Sequence, residues 1–172
     1  MTTYTLKNIL LSFADKNGNR RTLYNAGAIG GLNTNLVKIF LLSLPFIEYA
    51  ILFNPVVFNA LGIATAIVFF IVFLSIVMLI VFFVFYIMKK NVIKKITPSW
   101  KKYFPEQDLV MVLSAGMTPY SDFFKHYSAI IKENLSEDEM YKRLIKAFIE
   151  MENDNKDLLD AIKRNTNPRI QI

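Results

Sequence analysis

The sequence predicts an all-α membrane protein in which a two-span transmembrane helical hairpin is followed by a small cytoplasmic helical bundle. Between Ile39 and Met88 the only charged residue is Glu48, and both flanks of this apolar run are basic. After the run, apolar residues recur at helical spacing between proline and glycine breaks. A transmembrane helix needs about 20 mostly apolar residues, so the run is long enough for two spans.

The N-terminal segment, residues 1–35, is predicted to be cytoplasmic and amphipathic. Its apolar residues recur at helical spacing, at Leu6, Ile9, Leu10 and Phe13. We expect a short helix that lies on the inner leaflet of the membrane. The following stretch, 25–31, resembles a phosphate loop in its glycines, but it has no Lys-Ser/Thr pair and no preceding strand. It is interpreted as a flexible connection to the first span.

The hairpin is predicted at residues 36–88, with spans at about 36–53 and 59–88 that are separated by Asn54-Pro55. Lysine and arginine beside a span stay on the cytoplasmic side. The turn between the spans has no charge, whereas both outer flanks are basic. The sequence therefore predicts a multi-pass protein of the inner membrane with both termini in the cytoplasm.

Glu48 is the candidate intramembrane site, together with Pro45 one turn before it. A carboxylate within a span is a functional candidate by default, and a proline there frees a backbone carbonyl. We expect a kink and a polar contact between helices or subunits. A protonated or interface-facing glutamate without a function is the alternative.

The segment 89–104 is predicted to be a basic juxtamembrane linker that contacts anionic lipid headgroups. It contains six lysines and no acidic residue. The lysines are Lys89, Lys90, Lys94, Lys95, Lys101 and Lys102. Because this charge lies next to the apolar run, membrane lipids are the expected partner and nucleic acid is not.

A cytoplasmic bundle is predicted at 105–165, followed by a tail at 166–172. Pro98, Pro105 and Pro119 are expected to mark helix boundaries, and Ser136 with Glu139 forms a predicted capping box. Further predictions are a helix that stops at Gly116, a helix that Thr118 caps, and a helix break at 153–155.

The predicted core of the bundle is thin for an independent domain. It leaves the apolar residues of the last helix with little to cover them. These residues are Leu158, Leu159 and Ile162. We expect them to dock a membrane or cytoplasmic protein of a complex, or a second copy, in a homo- or hetero-oligomer.

No catalytic, cofactor-binding or metal-binding constellation is recognisable in the sequence. The chain has no cysteine and one histidine, His126, which has no neighbours at ligand spacing. We therefore expect a protein that is not an enzyme and has no cofactor.

The segment 109–162 resembles the cytoplasmic helical domain of the type II secretion F and type IV pilus platform family, including its tight-adherence members. The resemblance lies in the stretch Leu109–Pro119, LVMVLSAGMTP, and in the helices after it. It differs from the family in placing Thr118 before the proline and in having no glycine at 152–154.

The resemblance implies a non-enzymatic inner-membrane scaffold or assembly component of a bacterial surface machine, such as a pilus, secretion or conjugation apparatus. The alternatives are a small pore-forming or holin-like protein and a membrane accessory subunit of a larger complex.

Overall fold

A computed structural model describes residues 3–166, which are mostly helical and contain no strand. A short 3-10 turn at Ala26–Ile29 follows the first helix. The eight α-helices, in chain order, are α1 Leu6–Phe13, α2 Thr34–Leu52, α3 Pro55–Leu61, α4 Ile63–Tyr103, α5 Leu109–Val112, α6 Phe123–Ile131, α7 Glu137–Asp154 and α8 Lys156–Thr166. Apart from Thr166, the tail expected at 166–172 lies outside the described residues.

Helices α2 and α4 run antiparallel along each other. Phe53, just after α2, contacts Phe70 near the start of α4, and Val37 at the other end of α2 faces the same cavity as Val84. The separate helix α3 fills the turn between them, because the Asn54 side chain accepts a hydrogen bond from the backbone N–H of Val56 and so caps it. The second apolar helix therefore starts at Ile63, later than the expected residue 59.

Helix α4 continues through the whole basic segment, so the prediction of a helix boundary at Pro98 is wrong. Residues 89–104, expected to be a linker, are helical as far as Tyr103. Proline removes one backbone N–H, and this leaves the Lys94 carbonyl without its helical donor. Pro98 and Lys94 share the exposed side of the helix, where water can bond that carbonyl. On the other side, Ile96 and Trp100 are fully buried and hold the helix together across the proline.

The bundle is built around the last turns of α4. Trp100 is fully buried, and its ring packs against Phe13, Phe104, Phe123 and Phe148. Its indole N–H donates to the Gln107 carbonyl over 2.7 Å. The core therefore combines parts of the chain that are far apart in sequence.

Helix α1 is part of this core, and the expectation that it lies on the inner leaflet is not what the structure shows. All four apolar residues of its stripe are fully buried, at Leu6, Ile9, Leu10 and Phe13. They pack with α4, α6 and α7 in one hydrophobic cluster. This contribution also means that the core is larger than residues 105–165 alone predict.

The chain between α4 and α6 differs from the expected helices. Pro105 lies outside any helix, and α5 is one turn long, capped by Asp108, whose side chain accepts from the Val110 N–H. Helix α6 begins at Phe123 and not at Pro119. Thr118 does not cap it, because its hydroxyl donates to the Met111 carbonyl.

Helix α7 begins at the predicted capping box, and the break predicted at 153–155 is limited to Asn155. Ser136 and Glu139 form the capping box of α7, with each side chain bonding the other residue's backbone N–H. Helix α7 ends at Asp154 and α8 begins at Lys156, with Asn155 between them. The Asn155 amide donates to the carbonyls of Pro119 and Met151, which fixes the break between α7 and α8.

Candidate functional site

The surface of α2, α3 and α4 is apolar and exposed. Both α2 and α4 are long and apolar enough to cross a membrane, and the most apolar stretch of α4 has no buried residue. Side chains such as Phe46, Met78 and Phe82 are each at least two-thirds exposed. Monomeric soluble proteins rarely expose apolar patches of this extent.

Aromatic rings hold the turn end of the antiparallel pair together. Tyr49 and Phe53 stack with centroids 4.7 Å apart, and both meet Phe70 of α4 edge-on at 6.3 and 6.1 Å. Phe58 of α3 stacks on Phe53 at 5.8 Å. Ala66 is fully buried, and its small side chain permits a close approach of the helices.

Glu48 lies between α2 and α4, one turn before the end of α2 and beside Phe73 and Val77. Both of its carboxylate oxygens are buried, and neither has a hydrogen-bond partner in the described part of the chain. The side chain borders a cavity of about 270 Å³ that is otherwise apolar, with Leu44, Ile51, Phe73 and Val77 in its wall. A buried carboxylate without a partner is costly, so Glu48 is a credible contact residue.

Pro45 lies within α2, one turn before Glu48. Its ring nitrogen has no hydrogen to donate to the Leu41 carbonyl. The other polar side chains of the pair do not fill this gap, since Ser43 donates to Phe40 and Ser75 donates to Ile71. The pairing of Pro45 and Glu48 as one intramembrane contact stays a prediction.

The six lysines of α4 are all exposed. The one ion pair among residues 3–166 joins Arg143 to Glu133, so no carboxylate neutralises these lysines. Lys89 lies 5.8 Å from the centroid of the Tyr24 ring, a cation–π distance. Because α4 is one helix, Lys101 lies about 18 Å along the axis from Lys89. The six lysines therefore extend over about 20 Å of the helix axis, and their contact with lipid headgroups stays a prediction.

Two glutamates connect distant parts of the bundle, and the sequence analysis missed both roles. The Glu137 carboxylate accepts from the Leu6 N–H over 2.7 Å, so it caps α1 from the start of α7, and it also accepts from the Tyr103 hydroxyl. The Glu152 carboxylate accepts from the Tyr120 hydroxyl at 2.8 Å and from the Gln107 amide at 3.0 Å. Their partners lie far away in sequence, so no local pattern indicates these bonds.

Burial changes the acidity of the tyrosines in the bundle. Burial, and then the hydrogen bond to Glu152, raises the pKa of Tyr120 well above its ordinary value of 10. Burial also raises the pKa of Tyr127 to about 12. Both tyrosines therefore stay protonated at neutral pH and act as neutral packing and hydrogen-bonding groups.

The predicted docking residues lie on α8. Leu158, Leu159 and Ile162 are each partly buried. Helix α8 is strongly amphipathic and packs against α7, with charged residues on its other face. Their role in docking stays a prediction.

The described residues contain no group of three or more histidine, aspartate or glutamate side chains that could hold a metal ion. No protein family, curated protein or solved structure matches this chain. The geometry of the chain itself must therefore support any functional proposal.

Proposed function

We propose that this chain is a non-enzymatic integral membrane scaffold. Helices α2 to α4 form a hairpin in the inner membrane, both termini lie in the cytoplasm, and the bundle docks other proteins of a complex or further copies of the chain. The class of complex, a bacterial pilus, secretion or conjugation apparatus, rests on the sequence resemblance of residues 109–162.

The observation that carries the proposal is the division of one helix between two environments. The first 26 residues of α4, Ile63–Met88, are apolar and mostly exposed, while its last turns supply Ile96 and Trp100 to a buried core. A lipid bilayer can surround the first part, because the backbone N–H and C=O groups of a helix bond to each other and need no water. The second part then holds a folded bundle at the membrane surface.

The charges support the orientation with the bundle in the cytoplasm. Lys89 and Lys90 follow the apolar part of α4 directly, and Lys38 is the fifth residue of α2, at the same end of the antiparallel pair. The opposite end, from Phe53 to Gly62, has no charge. This asymmetry matches the preference for cytoplasmic lysine.

Membrane extraction and reporter fusions test the proposal. We expect the full chain to remain in the membrane pellet after washing at alkaline pH, and to dissolve only in detergent. Fusions of a reporter to each terminus should both report the cytoplasm. A chain released by the alkaline wash, or a C-terminus outside the cytoplasm, would contradict the scaffold proposal.

A pore is the second candidate, and the buried carboxylate of Glu48 favours it. A channel needs polar groups along its path, and Glu48 has two oxygens without a partner in the described structure. Purified protein in liposomes should show no ion conductance if the scaffold proposal is right. Conductance that disappears in Glu48→Leu would instead establish the pore.

A further inference from the structure

A cavity of about 440 Å³ lies where the antiparallel pair joins the bundle. The 3-10 turn contributes Ala26 and Ile29 to one wall, and Val37 of α2 lies beside it. The opposite wall is α4, from Val84 to Lys95. The volume is within the usual range of ligand pockets, about 300–1,000 Å³.

The α4 wall changes from apolar to polar along its length. Val84, Met88, Asn91 and Lys95 line the cavity and follow each other at three- and four-residue steps, so they share one face of the helix. Val84 and Met88 belong to the apolar part of α4, whereas Asn91 and Lys95 belong to the basic part. Over about 16 Å along the axis, this face is apolar at the Val84 end and polar at the Lys95 end. It therefore matches a phospholipid, whose acyl chain would lie at the apolar end and whose headgroup would lie at the polar end.

The 3-10 turn forms the other wall. It has a defined, hydrogen-bonded conformation, so the flexible connection expected at 25–31 is not observed. Gly30 has φ +72° and ends the turn, and the Gly31 N–H donates to the Ala26 carbonyl over 2.8 Å. A Cβ atom on Gly31 would lie 2.9 Å from that carbonyl oxygen, so this tight closure requires glycine. Ile29 is buried and anchors the turn, while Leu32 is 77% exposed beside the cavity.

The charge around the cavity selects an anionic occupant. Lys95 is exposed and forms no ion pair among the described residues. Between Thr22 and Phe104 the only acidic residue is Glu48, which lies far along the helix pair at the other cavity. The positive charge at the polar end of the cavity is therefore not neutralised by the protein itself.

We infer that this cavity binds one anionic phospholipid of the inner leaflet. One acyl chain lies between the 3-10 turn and α4, against Val84 and Met88, and the phosphate of the headgroup contacts Lys95 and Asn91. This inference rests on the proposed membrane location of α2 to α4. The cavity holds one lipid per chain, in addition to the lipids that the surface lysines attract non-specifically.

Native mass spectrometry of the full chain in detergent, with added phosphatidylglycerol or phosphatidylcholine, tests the inference. We expect one phosphatidylglycerol to be retained more tightly than phosphatidylcholine. Lys95→Gln should weaken phosphatidylglycerol binding about fivefold, the value of one lysine–lipid interaction. Lys146→Gln is the matched control, since Lys146 is equally exposed but lies on α7, outside the cavity and outside the basic part of α4, and this variant should bind as the parent does.

A second pair of variants tests the position of the acyl chain. Val84→Trp fills the cavity and should abolish retention of both lipids, whereas Ile87→Trp places the same ring outside the cavity and should retain them. Circular dichroism checks that each variant is folded, and the lysine pair remains decisive if Val84→Trp does not fold. Equal loss in Lys146→Gln and Lys95→Gln, equal retention of the two lipids, or no retained lipid would overturn the inference.

The outcome is separable from that of the proposed function. A chain that stays in the membrane after alkaline washing but retains no lipid refutes the lipid site alone. A chain that the wash releases refutes the membrane scaffold itself.

Discussion

Replacing Phe13 by alanine tests whether α1 belongs to the bundle or to the membrane surface. The Phe13 ring is fully buried, and its centroid lies 6.1–6.2 Å from the rings of Trp100, Phe123 and Phe124. Truncation of such a phenylalanine costs about 4 kcal/mol, because it removes buried apolar surface and leaves a cavity. In a bundle of roughly 100 residues this loss lowers the melting temperature by about 15–30 °C.

The assay is thermal unfolding of the full chain in detergent, followed by the fluorescence of Trp100. Trp100 is the only tryptophan and lies in the core, so its signal reports the bundle and not the apolar helices. Lys7→Ala changes an exposed residue of the same helix and should alter stability by about 0.5 kcal/mol at most. If Phe13→Ala melts with the parent but associates less with vesicles, α1 is a membrane-surface helix and the packing argument is refuted.

Three further predictions concern Glu48, the exposed carboxylates and α8. Glu48→Gln should leave insertion intact but alter assembly, because it removes the charge while keeping the size; normal oligomeric size by light scattering for both Gln and Leu variants would show that the residue has no role. Backbone hydrogen bonds from Asn19 lower the pKa of Asp15, and bonds from Ser136 lower the pKa of Glu139. The ionised carboxylates of Asp15 and Glu139 therefore stabilise the fold fully above their ordinary pKa values near 4. This stabilisation is lost as the pH falls through their lowered pKa values. Melting temperatures between pH 6 and pH 3 should fall less steeply in a double variant of Asp15→Asn and Glu139→Gln, and identical slopes would count against this. Leu159→Asp should abolish co-purification of partners or sister subunits while the chain still inserts, and an unchanged complex would remove the main support for docking through α8.

Local signals predicted some elements well. The apolar runs indicated α2 and the apolar part of α4, because span length and charge are properties of contiguous residues. The pair Ser136 and Glu139 indicated the start of α7, because a capping box is complete within four residues.

Features that depend on contacts between residues far apart in the chain were not predictable from the sequence. The spacing of Leu6 to Phe13 showed that one face of α1 is apolar, but it could not distinguish a protein core from a membrane surface. Pro98 by itself predicts a helix boundary. The helix continues because Trp100 is buried against α1, α6 and α7, and the sequence near Pro98 does not show this packing. For the candidate site, the sequence predicts contact roles for Glu48 and the lysines, and these stay predictions, whereas the wall formed by the 3-10 turn is visible only in the fold.

The continuity of α4 has a mechanical consequence. No glycine or proline interrupts it from Ile63 to Thr97, and on either side of Pro98 the buried Ile96 and Trp100 hold the helix in the core. From Lys89 to Tyr103 the helix extends about 21 Å beyond the apolar part, so in the proposed membrane arrangement a tilt of about 10° displaces its far end by about 4 Å. Helix α4 thus has no flexible point between its apolar part and the bundle. In the proposed membrane arrangement, a change in the thickness or tension of the bilayer that tilts α4 also turns the bundle.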